Sequence, residues 1–109
     1  PTAMGNVGTL YNSGVRIAMG TDTGPPARFQ GYFEHMEMHM MVDAGLTPLD
    51  AIRASTGVAA DCIGMGDIGT LEPGKWGDFS VLTENPAEDI RNSHSMESVY
   101  VAGNLVPGE

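Results

Sequence analysis

Basic residues are scarce in this chain of 109. Five Lys and Arg face fourteen Asp and Glu, for a formal net charge of −9. Such a surface repels phosphate backbones and anionic bilayers, so neither nucleic acid nor membrane is expected as a partner. Cysteine is nearly missing. Cys62 stands alone, which excludes a disulfide within the chain and fits a reducing, cytoplasmic setting. Its neighbours Ala59, Ala60 and Ile63 mark it as a small buried hydrophobe, with no His or basic side chain beside it in sequence to activate a thiolate. No apolar run is long enough to cross a bilayer, and no leader peptide is legible at Pro1. Aromatics make up only 6% of residues, and eight Met carry much of the apolar volume instead.

What is present is punctuation. Fifteen Gly and seven Pro exclude a simple helical bundle. Residues from about Ala3 to Ser13 read as a helix with Val7, Leu10 and Tyr11 on one stripe and Gly14 as its stop. The apolar run Val15-Arg16-Ile17-Ala18-Met19 then reads as a buried strand, opening at Gly20 into a loop with Pro25 and Pro26. A second helix is expected from Tyr32 to Ala44, stopped by Gly45. A third starts with Thr47 as N-cap and Pro48 in the first turn, and a short fourth covers about Val58 to Ile63. After Gly64 the pattern changes to turns and short strands: Ile68–Leu71, Asp78–Leu82 and Ser98–Ala102, with Gly103-Asn104 turning into Leu105-Val106. Pro86 to Asn92 is a loop or a single helical turn. Helix, glycine, buried strand and polar loop in that order form the αβ step of a parallel sheet or barrel.

Three constellations carry possible chemistry. Asp22, in Gly20-Thr-Asp-Thr-Gly24, stands at the C-terminal mouth of the expected strand, where α/β enzymes place functional groups; a turn-forming Asp is the plain alternative. His35 and His39 lie four apart on one helix face, a spacing able to hold a metal. However, Met36 occupies the position where the metalloprotease pattern has Glu, and Glu37 lies about 200° round the helix. The pair therefore reads first as flanking the packing stripes of Met36 with Met40 and Met38 with Val42. His94 has no spacing partner and reads as a surface residue. Gly64-Met-Gly66-Asp-Ile-Gly69 matches a dinucleotide fingerprint but follows a helix and precedes a turn, the reverse of what pyrophosphate binding needs.

Taken together, Gly14-Val-Arg-Ile-Ala-Met-Gly-Thr-Asp22 resembles the eighth barrel strand of the amidohydrolase superfamily, nearest its imidazolonepropionase-like and prolidase-like branch. Glu34-His-Met-Glu37 with Met41 to Ile52, Ala54 to Ala60, and Ile68 to Leu82 with Asn85-Pro86 resemble the branch's following segments, in order. The resemblance implies an α/β fold: residues 1–65 as the end of a (β/α)8 TIM barrel, with its last strand and following helices, and residues 66–109 as part of a small β-sandwich domain. It implies a hydrolase of C–N bonds in amides, cyclic amides or dipeptides, using one or two divalent metals, usually zinc. Asp22 matches the family's metal-touching proton acceptor. The other family ligands, a His-x-His pair, a mid-barrel Lys or Glu and two later His, have no counterpart here. Arg28 and His35 are candidate substrate contacts by location. The chain is accordingly expected to be the C-terminal portion of a larger, homo-oligomeric enzyme, inactive and without its metal on its own. Two other classes stay open: a non-catalytic module that associates with itself through exposed apolar edges, and a small metal-binding protein using His35 and His39.

Overall fold

In a computed structural model, residues 2–24, 26 and 29–108 are described. Four α-helices come first: α1 Thr2–Asn12, α2 Tyr32–Asp43, α3 Pro48–Ser55 and α4 Gly57–Cys62. A three-stranded antiparallel sheet follows, of β1 Phe79–Leu82, β2 Met96–Val101 and β3 Asn104–Leu105, with a 3₁₀ helix, Ile90–His94, between β1 and β2.

The helix boundaries follow from local chemistry. Gly45, at φ 114°, ends α2 by taking a left-handed conformation that closes the bond from Leu46 N–H to the Met41 carbonyl. Two residues later the Thr47 hydroxyl accepts from Asp50 N–H and starts α3, with Pro48 in its first turn. Tyr11 of α1 donates to the Asp50 carboxylate at 2.7 Å. The Thr47 hydroxyl, then the Tyr11 hydroxyl and the Arg53 guanidinium, hold the Asp50 carboxyl below its ordinary range.

The core gathers Met41, Leu46, Ala51, Ala54 and Ile90, with Val7, Tyr11, Ile17, Met19, Met38, Val42 and Ile52 packed around them. The α2 stripe that packs inward is therefore Met38, Met41 and Val42, whereas Met36 and Met40 are exposed. Ala51 and Ala54 keep α3 close to its neighbours because small side chains allow near approach. Ile90 carries the 3₁₀ helix onto the helical layer, and that helix also touches β1.

Four expectations change. Val15–Met19 is extended but belongs to no strand, because none of the described residues offers it a ladder; Ile17 and Met19 nonetheless face the core. Ile68–Leu71 forms bends and turns instead of a strand. Its Gly69, at φ 87°, lies against α4, where an added Cβ would stand 2.6 Å from the Ala60 Cβ and 2.9 Å from the Thr56 carbonyl oxygen. The hairpin turn between β2 and β3 is Ala102-Gly103, one residue earlier than expected, with both at positive φ (51° and 77°). Cys62 is exposed: it ends the six-residue helix α4 beside exposed Ile63, while Ala60 of the same helix is the residue that turns inward.

In the sheet, Phe79 stacks on Tyr100 with ring centroids 4.6 Å apart, and a bulge falls between Val81 and Leu82. Trp76 donates its indole N–H to the Asp67 carboxylate (2.9 Å) and its backbone N–H to the Asp67 carbonyl, bracing the connection between α4 and β1 while its ring stays largely exposed. An apolar groove of about 810 Å³ runs between α3–α4 and the sheet, lined by Ile52, Ile63, Ile68, Leu71, Phe79 and Tyr100 among others. Among the described residues, no helix is long and apolar enough to cross a membrane.

Candidate active site

Asp22 is exposed and adopts a left-handed backbone conformation, φ 51°, one that Asp tolerates better than most side chains. The segment leading to it is pinned at successive residues. Met19 N–H donates to the Ala54 carbonyl of α3 at 3.0 Å, and Gly20 N–H donates to Glu37 Oε1 of α2 at 3.2 Å. On either side of Asp22, the hydroxyls of Thr21 and Thr23 donate to one oxygen of Glu34, at 3.1 and 3.0 Å. The other oxygen of Glu34 accepts Gly31 N–H at 2.6 Å, closing the start of α2. Glu34 thus ties the start of its own helix to the loop that carries Asp22.

Those contacts set the charge on Glu34. Its own backbone N–H, then the Thr23 and Thr21 hydroxyls and Gly31 N–H, hold its carboxyl below the ordinary range, against a smaller opposing effect of burial. The loop is therefore organised around a carboxylate that is ionised at neutral pH.

Arg28 lies outside the described residues. His35 turns to the 3₁₀ helix: its Nδ1 is 2.9 Å from the hydroxyl of buried Ser93, and its ring lies against that of His94 at 4.3 Å between centroids. Burial, then His94 and His39, lower the proton affinity of His35, and Glu34 partly opposes them. His94, expected to be a plain surface residue, is exposed yet packs on both His35 and His39. His35 and His39 share a helix face as their spacing predicts, but among the described residues no three His, Cys, Asp or Glu side chains are arranged to hold a metal.

Glu34 and Glu37 are the site residues that sequence reasoning undervalued. A Gly-x-x-Glu spacing at the start of a helix is a capping signal, and it was available at Gly31 and Glu34. Nothing in the sequence announces that the second oxygen of Glu34 reaches back across the loop. The Gly64–Gly69 segment follows α4 and leads into turns, with no helix N-terminus to receive a pyrophosphate.

Residues 4–106 match the model of the amidohydrolase family. Ochratoxinase of Aspergillus niger is 36% identical over 102 residues, covering 88% of this chain and 20% of that protein. Imidazolonepropionase of Deinococcus deserti is 31% identical over 101 residues, covering 89% of this chain and 25% of that protein. The crystal structure of a Xaa-Pro dipeptidase superposes with a TM-score of 0.84 at 30% identity, over 96% of this chain and 25% of that one. This chain thus spans about a fifth to a quarter of the length of these relatives. With a family match over nearly its whole length, the chain belongs to the amidohydrolase family.

Proposed function

We propose that this chain supplies the Asp22 carboxylate to the metal site of an amidohydrolase that cleaves C–N bonds in small amides, cyclic amides or dipeptides. The observation that carries the reading is the placement of Asp22: a left-handed, exposed acid on a loop braced from both sides by Glu34, in a chain of this family. The names of the relatives, an imidazolonepropionase and a Xaa-Pro dipeptidase among them, support a small amide or peptide as the substrate class. In this reading residues 1–65 close a (β/α)8 barrel, and residues 66–109 belong to a small β-domain of a cytoplasmic enzyme.

A carboxylate oxygen donor such as Asp22 suits a divalent cation such as zinc, as one ligand among several. The metal, when bound, polarises the scissile carbonyl and lowers the pKa of water at the site. Asp22 then accepts a proton from the attacking water and delivers it to the departing amine, as a general base followed by a general acid. Glu34, Thr21 and Thr23 hold the loop so that Asp22 meets the reacting atoms without a search for position, and Gly20, bonded to Glu37, fixes the approach. Arg28 and His35 are proposed as substrate contacts.

The test is Asp22→Asn in the complete enzyme, assayed on a panel of N-acyl amino acids and dipeptides with metal content measured alongside. The expected loss in kcat is about 10²- to 10⁴-fold, the range of a positioned general base, with the fold retained. Wild-type turnover in the variant would overturn the assignment.

A second reading, self-association, is favoured by the exposed apolar groove between α3–α4 and the sheet. Light scattering on this chain is expected to show a dimer or larger species. A monodisperse monomer would overturn it.

A further inference from the structure

His94 meets His35 and His39 where no sequence spacing predicts it. His35 and His39 on α2 both pack on His94 at the end of the 3₁₀ helix: His35–His94 tilted, at 4.3 Å and 31°, and His39–His94 edge to face, at 5.2 Å and 65°. Nε2 of His39 is buried without a hydrogen-bond partner. Ser93, buried beneath, bonds His35. The arrangement is not one of ligands converging on a cation. It is a packing joint made of imidazoles.

We propose that His35, His39 and His94 form an acid-sensitive clasp, their packed rings holding the 3₁₀ helix Ile90–His94 on α2 while His35 is neutral and releasing it as His35 takes up a proton. A proton on His35 would stand against the His94 ring at 4.3 Å in a partly buried joint, where burial already disfavours the charged form.

The surrounding charges are mixed. On α2, Glu34 favours protonation of His35, and Asp43 lies in the field of Arg91. From the segment of the 3₁₀ helix, Asp89 senses His39 but is already held by Arg91 through paired hydrogen bonds, its carboxyl lowered to about 2. β1, which also touches the 3₁₀ helix, carries no titratable side chain. Asp89 is bonded chiefly to Arg91, and Glu34 to its threonines and Gly31, so their pull on the joint opposes burial without outweighing it at His35.

The sign follows from His35. Its proton affinity in the closed joint is below the ordinary value of 6.5, so protons bind more tightly once the joint opens. The closed state is fully favoured above pH 6.5 and loses ground as the pH falls below it. Opening uncovers Ile90, a core residue, and Ser93. The inference is independent of the hydrolase reading.

The experiment is a pH titration of the full chain by NMR from pH 8 to 5, following the three imidazoles and the exchange protection of the Asn92 and Ser95 amides, which close the turns of the 3₁₀ helix. The protection of those two amides, corrected for intrinsic exchange, is expected to fall below pH 6.5 by up to about tenfold per pH unit, the limit for linkage to one proton. Amides of the β1–β2 ladder are expected to keep theirs. His94→Phe retains a ring but not the charge and should flatten the dependence; His94→Asn serves if that variant misfolds. Flat protection in the wild type, an equal loss across the sheet, or an unaltered pH dependence in a folded His94 variant would each overturn the clasp.

Discussion

The segment Val15–Gly20 and strand β1 are both short, extended and apolar, yet they are held in opposite ways. β1 is paired residue by residue with β2, from Phe79 opposite Tyr100 to Leu82 opposite Met96. Val15–Gly20 has the Met19 N–H bond to Ala54 and the Gly20 bond to a Glu37 side chain, and beyond Gly20 the loop depends on one carboxylate, Glu34. A ladder of backbone bonds is indifferent to most side-chain changes. A segment held by named side chains can be loosened by replacing one of them, and that is the part of the chain that carries Asp22.

The largest way to break the comparison is at the junction between the two regions. Gly69→Ala would place a Cβ against Ala60 and the Thr56 carbonyl at a left-handed φ, and is expected to cost about 2–3 kcal/mol by chemical denaturation. A neutral outcome would mean that the helical and sheet regions do not depend on this contact. Next comes Glu34→Ala. In the complete enzyme it is expected to lower kcat by about 10- to 100-fold through misplacement of Asp22, leaving the melting temperature of the sheet unchanged. The same dependence gives a pH signature. Because the Glu34 carboxyl is lowered from its ordinary 4.5, its grip on the loop is complete above that pH and is lost as the pH falls below it. The Gly31 amide, which donates to Glu34, should lose protection in that window while β2 amides do not. The smallest effect is in the ladder region. Ala102→Gly relieves a non-glycine residue at φ 51° in a two-residue turn and is expected to stabilise the chain by about 0.5 kcal/mol, after the extra backbone entropy of Gly is subtracted. A destabilised variant would show that Ala102 makes a contact outweighing its strain.

What was legible in the sequence is what local chemistry decides. Gly14 and Gly45 stop helices because the chain must turn left-handed there, and Thr47-Pro48 starts one because a hydroxyl cap and a missing N–H both suit a first turn. Pairing is not local. Val15–Met19 has strand composition, but a strand is defined by its neighbour, and β-branched residues cannot supply one. The Gly103-Asn104 pair looked like the turn because Gly and Asn favour positive φ, whereas the register of Val101 opposite Asn104 moved the turn onto Ala102. For the site, the position of Asp22 could be read from its place after an apolar run, and the capping role of Glu34 from its spacing to Gly31. The meeting of His94 with His35 and His39 could not, because it depends on how the 3₁₀ helix docks through Ile90.

Trp76 gives the junction an optical consequence. It is the chain's single tryptophan, its indole tied to Asp67 and its ring 55% exposed, a few residues from Gly69 and from the start of β1. Intrinsic fluorescence therefore arises from one place, the connection between the helices and the sheet. Separation of the two regions would break the indole bond and change emission before either region lost its own secondary structure, so a fluorescence transition that precedes the circular-dichroism transition would report the seam opening first.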